Sequence, residues 1–172
     1  EEMRKVERQE PILNNELNPV WMSQLTEEIV GEEQSKNRLQ GIILHFCLSE
    51  IKSLEADLKG HLSRVVKKAK AHFGQIDEDF YHQALFNLLN RSDIQPFFKE
   101  HNDVEILCEQ ELVNTYGDSK RIDRLMIFKD KIWIIEFKTG KPEANHQVQL
   151  EEYEGLLQKV YSEHKIEGFL IY

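Results

Sequence analysis

The sequence predicts an α/β fold, a central mixed β-sheet flanked by helices and preceded by an N-terminal helical region. Three observations predict it. Apolar residues recur at helical spacing as far as about residue 89, short β-rich apolar runs occupy about 104–138, and a further helical stripe and one last apolar run close the chain. The resulting order is helices, three strands, helix, strand.

Each element has a local reason. Residues 1–36 mix charge with Pro11, Pro19 and Gly31 and hold only short apolar patches such as Val20-Trp21-Met22, as expected of an arm or linker with one short helix. Residues 37–172 make one domain. From Arg38 to Leu54, apolar positions 39, 42, 43, 46, 47, 48, 51 and 54 follow helical spacing around most of the circumference, so this helix is buried on several sides. Leu58, Leu62, Val65, Val66, Ala69 and Phe73 form the stripe of a second helix that Gly74 can close, with Lys59, Arg64, Lys67, Lys68 and Lys70 on its other face. Asp77 can cap a third, which buries Phe80, Tyr81, Ala84, Leu85, Leu88 and Leu89 before Asp93-Ile94-Gln95-Pro96 breaks it. Val104–Val113, RIDRLMIF and IWIIEFK read as three strands of a meander, the first two joined by turn chemistry at Tyr116-Gly117-Asp118-Ser119. Thr139-Gly140-Lys141-Pro142 ends the meander. A helix carrying Gln149, Tyr153, Leu156, Leu157 and Val160 follows, and Gly168-Phe169-Leu170-Ile171-Tyr172 supplies the last strand.

Composition narrows the function classes. Lys+Arg number 22 against 31 Asp+Glu, a formal net charge of -9, which argues against nonspecific binding of nucleic acid over the whole surface. Any polyanion must meet a local basic patch. No apolar run approaches the ~18 residues of a membrane span, and EEMRKVERQE is too charged for a secretory signal, so a soluble, cytoplasmic protein is expected. A start at Glu1 and an end inside an apolar run suggest a piece of a longer parent. Cys47 and Cys108 sit in apolar stretches without CxxC spacing and are expected to be core packing; two cysteines are too few for an iron–sulfur cluster.

The chemistry resides in one register. Lys129-Asp130 separates the second and third strands, and a two-residue turn there, or a four-residue loop over 128–131, sets Asp123 directly opposite Glu136. A three-residue loop would bring Arg124 there instead. Opposed residues have Cβ atoms about 4.5–5.5 Å apart, a destabilising distance for two acids unless positive charge lies between them. Alternation adds Lys138 to the same face, while Ile122, Met126, Trp133, Ile135 and Phe137 make the other face apolar. Two carboxylates suit a magnesium-like ion that polarises a phosphoryl group, with Lys138 orienting water or offsetting charge on the phosphate. The plain alternative is a solvated Glu-x-Lys at a fraying strand end.

These residues resemble the PD-(D/E)XK nucleases, in particular the RecB-like branch found at the C-terminus of helicase–nuclease proteins of the UvrD/Rep type, AddA-like. Asp123 followed by Glu136-Phe137-Lys138 looks like the D…(D/E)xK core. GIILHFCLSEI is similar to the branch's helix in which a glycine precedes a metal-binding histidine, here His45, and QLEEY from Gln149 to Tyr153 is similar to its QxxxY motif. The resemblance covers about residues 38–172. It departs at Ile122, where relatives often carry proline, and at Glu136, where aspartate is commoner.

The resemblance implies a restriction-endonuclease-like core and a Mg²⁺- or Mn²⁺-dependent DNA nuclease. Its metal ligands would be His45, Asp123, Glu136 and the Phe137 carbonyl, and its catalytic residues Asp123, Glu136 and Lys138. It also implies single-stranded DNA delivered by a helicase motor of the same parent chain or complex, in bacterial DNA repair and recombination. Without the resemblance, His45 is more often a satisfied core histidine. Supporting candidates are Gln149 and Tyr153, which could contact the nucleic-acid backbone or brace Lys138, and Arg121 and Arg124 for phosphate, Arg124 only if a bulge or a strand end lets it join Asp123. One of Glu109 and Glu111 could approach the ion, and Glu111 is preferred. Two alternatives stand beside this one: a catalytically idle nuclease fold that guides DNA or docks a protein, and a phosphoesterase of small nucleotides.

Overall fold

In the computed structural model, residues 32–113, 117 and 119–172 are described. The expected arm therefore lies outside the described residues up to Gly31, and the chain is already helical from Glu32. Helix α1 spans Glu32–Ser49, α2 Leu58–Phe73, α3 Glu78–Leu89 and the single turn α4 Gln95–Phe98. Strands β1 (Glu105–Val113), β2 (Ser119–Ile127) and β3 (Lys131–Phe137) follow, then α5 (Ala144–Val160) and β4 (Lys165–Ile171). Among the described residues no helix is long and apolar enough to cross a membrane.

The caps behave as their residue types dictate. Asp77 accepts from Phe80 N–H at 3.0 Å to start α3, and Gly74, at φ 83°, closes α2 by donating to the Lys70 carbonyl. Helix α1 ends five residues earlier than its apolar spacing suggests. Beyond Ser49 the carbonyls of Ile51 and Lys52 accept hydrogen bonds from Arg124 of β2 at 2.9 and 2.6 Å, and Leu54 N–H donates to Phe98. Tertiary partners thus replace the last helical turn. Phe80, expected in the core, is 40% exposed, because Tyr81, Leu85 and Leu89 already define the buried stripe of α3.

The sheet is mixed, in the order β1-β2-β3-β4: the first three strands are antiparallel neighbours, and β4 runs parallel to β3. A parallel neighbour requires a crossover, and α5 provides it. Gly168 lets α5 and β4 meet closely, since a Cβ there would stand 2.6 Å from Leu150 Cγ. One sheet face packs on α1, α2 and α3 through Ile43, Cys47, Leu62, Leu85, Met126 and Ile135. The other packs on α5 through Leu125, Ile132, Ile134, Leu150, Tyr153 and Leu157. Burial pushes the Cys47 thiol up to about 12, so it is an inert packing group.

Ile122 departs from strict alternation. It joins Leu125, three positions on, in the cluster under α5, and on β1 Leu107 and Leu112, five apart, do the same. In each strand the alternation of faces therefore reverses once, on β1 around Glu109, whose φ is 55°. Both reversals fall at one level, midway along β1 and β2.

Candidate active site

The β2–β3 hairpin sets the geometry. Phe128 N–H donates to the Lys131 carbonyl at 2.9 Å, and the pairs Ile127–Ile132, Met126–Trp133, Leu125–Ile134 and Arg124–Ile135 follow. The next opposed positions are Asp123 and Glu136, as the turn length predicted. Here side chains take over from the ladder. Phe137 N–H donates to Asp123 Oδ2 at 2.8 Å, and Asp123 N–H donates to Glu136 Oε1 at 3.2 Å. Asp123 is 8% and Glu136 2% exposed, so two acids share a site almost closed to water.

Helix α1 supplies His45 from one sheet face. Its Nδ1 lies 3.1 Å from Asp123 Oδ1, and its ring meets the Phe137 ring edge-on. Gly41, one helical turn earlier, allows this approach: a Cβ there would sit 2.9 Å from Thr139 Oγ1, just past the end of β3. The G-x-x-x-H spacing thus has a steric cause.

Helix α5 completes the site from the other face. Lys138 Nζ lies 3.2 Å from Glu136 Oε2 and donates to Gln149 Oε1 at 2.8 Å. Gln149 Nε2 donates to the Tyr153 hydroxyl at 2.6 Å, and that hydroxyl donates to the Arg121 carbonyl at 2.8 Å. A continuous hydrogen-bonded chain therefore runs from His45 through Asp123, Glu136, Lys138 and Gln149 to Tyr153, ending on β2, the strand that carries Asp123. Gln149 and Tyr153, one turn apart, brace Lys138.

At the site the acids Glu109, Asp123 and Glu136 outnumber the permanent cations Arg121 and Lys138. Burial, then the neighbouring Asp123, pushes Glu136 up to about 7, against the opposing pull of Lys138. Burial raises Glu109 too; Arg121 opposes the rise and Asp123 adds to it. For His45, burial alone would disfavour the imidazolium, but the hydrogen bond to Asp123 and the charges of Asp123, Glu109 and Glu136 outweigh it and raise the pKa. Carboxyls that resist ionisation and a histidine that favours its charge are the signature of a site with excess acid. The donor set fits a hard divalent cation, since ligand atoms of His45, Glu109 and Asp123 lie within 4.8 Å of one another.

That cluster corrects one expectation. Glu111, preferred from sequence, is exposed and accepts a hydrogen bond from Ser119 on the surface. Glu109 is the acid that comes in, held by Arg121 Nε at 2.7 Å. It stands opposite Asp123 because Cys108 pairs with Arg124 and Gln110 with Ile122. A turn centred one residue later would have selected Glu111, and nothing in residues 114–118 distinguishes the two. Glu136 is not one of the three converging ligands; its oxygens are engaged by Asp123 N–H and Lys138. Phe137 makes its contact with Asp123 through its amide N–H.

Arg124 is not at the site. It is 1% exposed, stacks over the Phe98 ring with 4.3 Å from guanidinium to centroid, and fastens the Ile51 and Lys52 carbonyls. On the cationic face of α2, Arg64, Lys68 and Lys70 are ion-paired with Glu55, Glu50 and Glu78. Those three charges are thus matched locally by acids.

The acids open into a cleft of about 530 Å³ between β2 and α5, lined by His45, Asp123, Glu136 and Lys138 at its base and by Arg121 and Gln149 higher up. No family model matches the chain, and no curated protein matches it.

Proposed function

We propose that this chain is a RecB-like nuclease domain of the PD-(D/E)XK type, which hydrolyses phosphodiester bonds of DNA with Mg²⁺ or Mn²⁺. The observation that supports it most is the opposed, buried Asp123–Glu136 pair with Lys138 Nζ 3.2 Å from one acid and His45 3.1 Å from the other. His45, Asp123 and Glu109 would hold the cation, with Glu136 adjoining. When bound, the cation supplies Lewis-acid polarisation of the phosphoryl group and a more acidic water. Lys138 offsets the charge that grows on the phosphate, and Gln149 and Tyr153 keep its ammonium aimed there. Arg121 lines the approach. In this reading the strand is single-stranded DNA handed over by a helicase motor of the same parent chain or complex, in repair and recombination in the bacterial cytoplasm. The helicase step is analogy from the resemblance.

The test is cleavage of labelled single-stranded DNA with Mg²⁺, with Mn²⁺ and with EDTA, alongside Asp123→Ala and Lys138→Ala. Cleavage that needs metal and is lost in both variants supports the reading, and cleavage that survives both rejects it. Competition by small nucleotides identifies a phosphoesterase. One observation favours the idle-module reading: all four carboxylate oxygens of Asp123 and Glu136 already have partners within the chain. DNA binding without cleavage under either metal would select it.

A further inference from the structure

Two walls face each other across the cleft. Asn145, Val148, Gln149, Glu152 and Tyr153 form one stripe of α5, at the i, i+3, i+4 spacing of a helix face, and the N-terminal half of β2 stands opposite with Lys120 and Arg121. Each of these cations is matched by an acid. Arg121 holds Glu109 of β1, while Lys120 reaches across to Glu152 of α5. The Lys120–Glu152 pair thus spans the cleft, and both side chains are partly open to solvent, at 30% and 48%. An exposed ion pair of this kind is weak and exchangeable.

We infer that Lys120 forms a second phosphate-binding subsite for the backbone of a single-stranded nucleic acid, and that Glu152 masks it until the strand enters. The inference rests on the nuclease reading above. Lys120 lies three residues from Asp123 along β2, roughly 10 Å at strand rise. Its ammonium is engaged on Glu152 of α5 and not on the acids, so Lys120 is placed for another phosphate of the same strand. A phosphate tethered at the acids is presented to Lys120 at high local concentration and displaces the Glu152 carboxylate. Among the described lining residues the rings are those of His45, which is engaged by Asp123, and Tyr153, which is 2% exposed and hydrogen-bonded, so neither offers bases a stacking platform. The subsite reads backbone charge and is indifferent to sequence.

The experiment is fluorescence anisotropy of the full chain with a labelled single-stranded oligothymidylate in EDTA, over a range of salt. Glu152→Gln is expected to bind about two- to fivefold more tightly, the value of one exposed ion pair. Lys120→Gln is expected to bind more weakly, with the slope of log K against log salt smaller by about 0.7, the signature of one lost contact to a single strand. In the Lys120→Gln background, Glu152→Gln should have no further effect. Glu151→Gln removes the same charge from α5 outside the cleft lining and should leave affinity unchanged. The subsite is overturned if Lys120→Gln leaves the salt slope intact, or if Glu152→Gln tightens binding equally without Lys120 or no more than Glu151→Gln does. Metal-dependent cleavage by the wild-type chain alongside such a result would leave the nuclease reading standing. A wild-type chain that neither binds nor cuts the strand removes both.

Discussion

Replacing Glu136 by glutamine should stabilise the metal-free protein at alkaline pH, although it removes an ion-paired residue from the sheet. Glu136 ordinarily would lose its proton near 4.5 and here keeps it to about 7, because burial and Asp123 oppose its charge. The sign follows from linkage: a carboxyl whose folded-state pKa is raised contributes stability that is fully present below pH 4.5 and is lost as pH rises through 7. At about 1.4 kcal/mol per pH unit, the loss at pH 8 is roughly 3 kcal/mol. Glutamine keeps an oxygen for Asp123 N–H and carries no charge to be desolvated. Because the value of about 7 already includes the attraction to Lys138, the variant should gain about 2–3 kcal/mol on wild type at pH 8, or about 4–12 °C in Tm for a domain of this size. At pH 5, where the wild-type carboxyl is mostly protonated, variant and wild type should melt together. The assay is thermal unfolding by circular dichroism in EDTA at pH 5 and pH 8. If the variant is less stable than wild type at pH 8 by as much as at pH 5, the acids are not in electrostatic conflict, and the cation argument loses its basis.

Other perturbations follow from the same geometry. Asp123→Asn should lower the pKa of Glu136 by removing its charged neighbour, measurable by carboxyl-carbon NMR titration; an unchanged titration would place the cause in burial alone. Manganese should raise the Tm of the wild-type chain, and His45→Gln or Glu109→Gln should reduce that rise, whereas Glu111→Gln should not. Arg124→Met should cost about 3 kcal/mol or more by leaving the Ile51 and Lys52 carbonyls without their charged donor, yet cleavage per folded molecule should persist. Gly168→Val should destabilise by about 1–3 kcal/mol through its clash with Leu150, read by urea unfolding.

The sequence by itself determined the helices with a one-sided stripe and a cap and the chain order of the strands, and it left two registers for Glu136, of which the hairpin took the one that opposes it to Asp123. These are local quantities: 3.6-residue spacing, an aspartate before a helix, and a turn length that allows few registers. Lys138, two residues after Glu136, and Gln149 with Tyr153, one helical turn apart, were legible for the same reason. The tertiary structure alone decided what depends on one element meeting another. It chose Glu109 over Glu111, because the β1–β2 register hangs on a loop whose centre the sequence leaves open by one residue. It ended α1 at Ser49, because a buried arginine from a distant strand took the carbonyls that another helical turn would have used. It also reversed the alternation of Ile122. Periodicity describes how a segment would bury itself against a featureless partner, and these exceptions arise where the partner has features of its own.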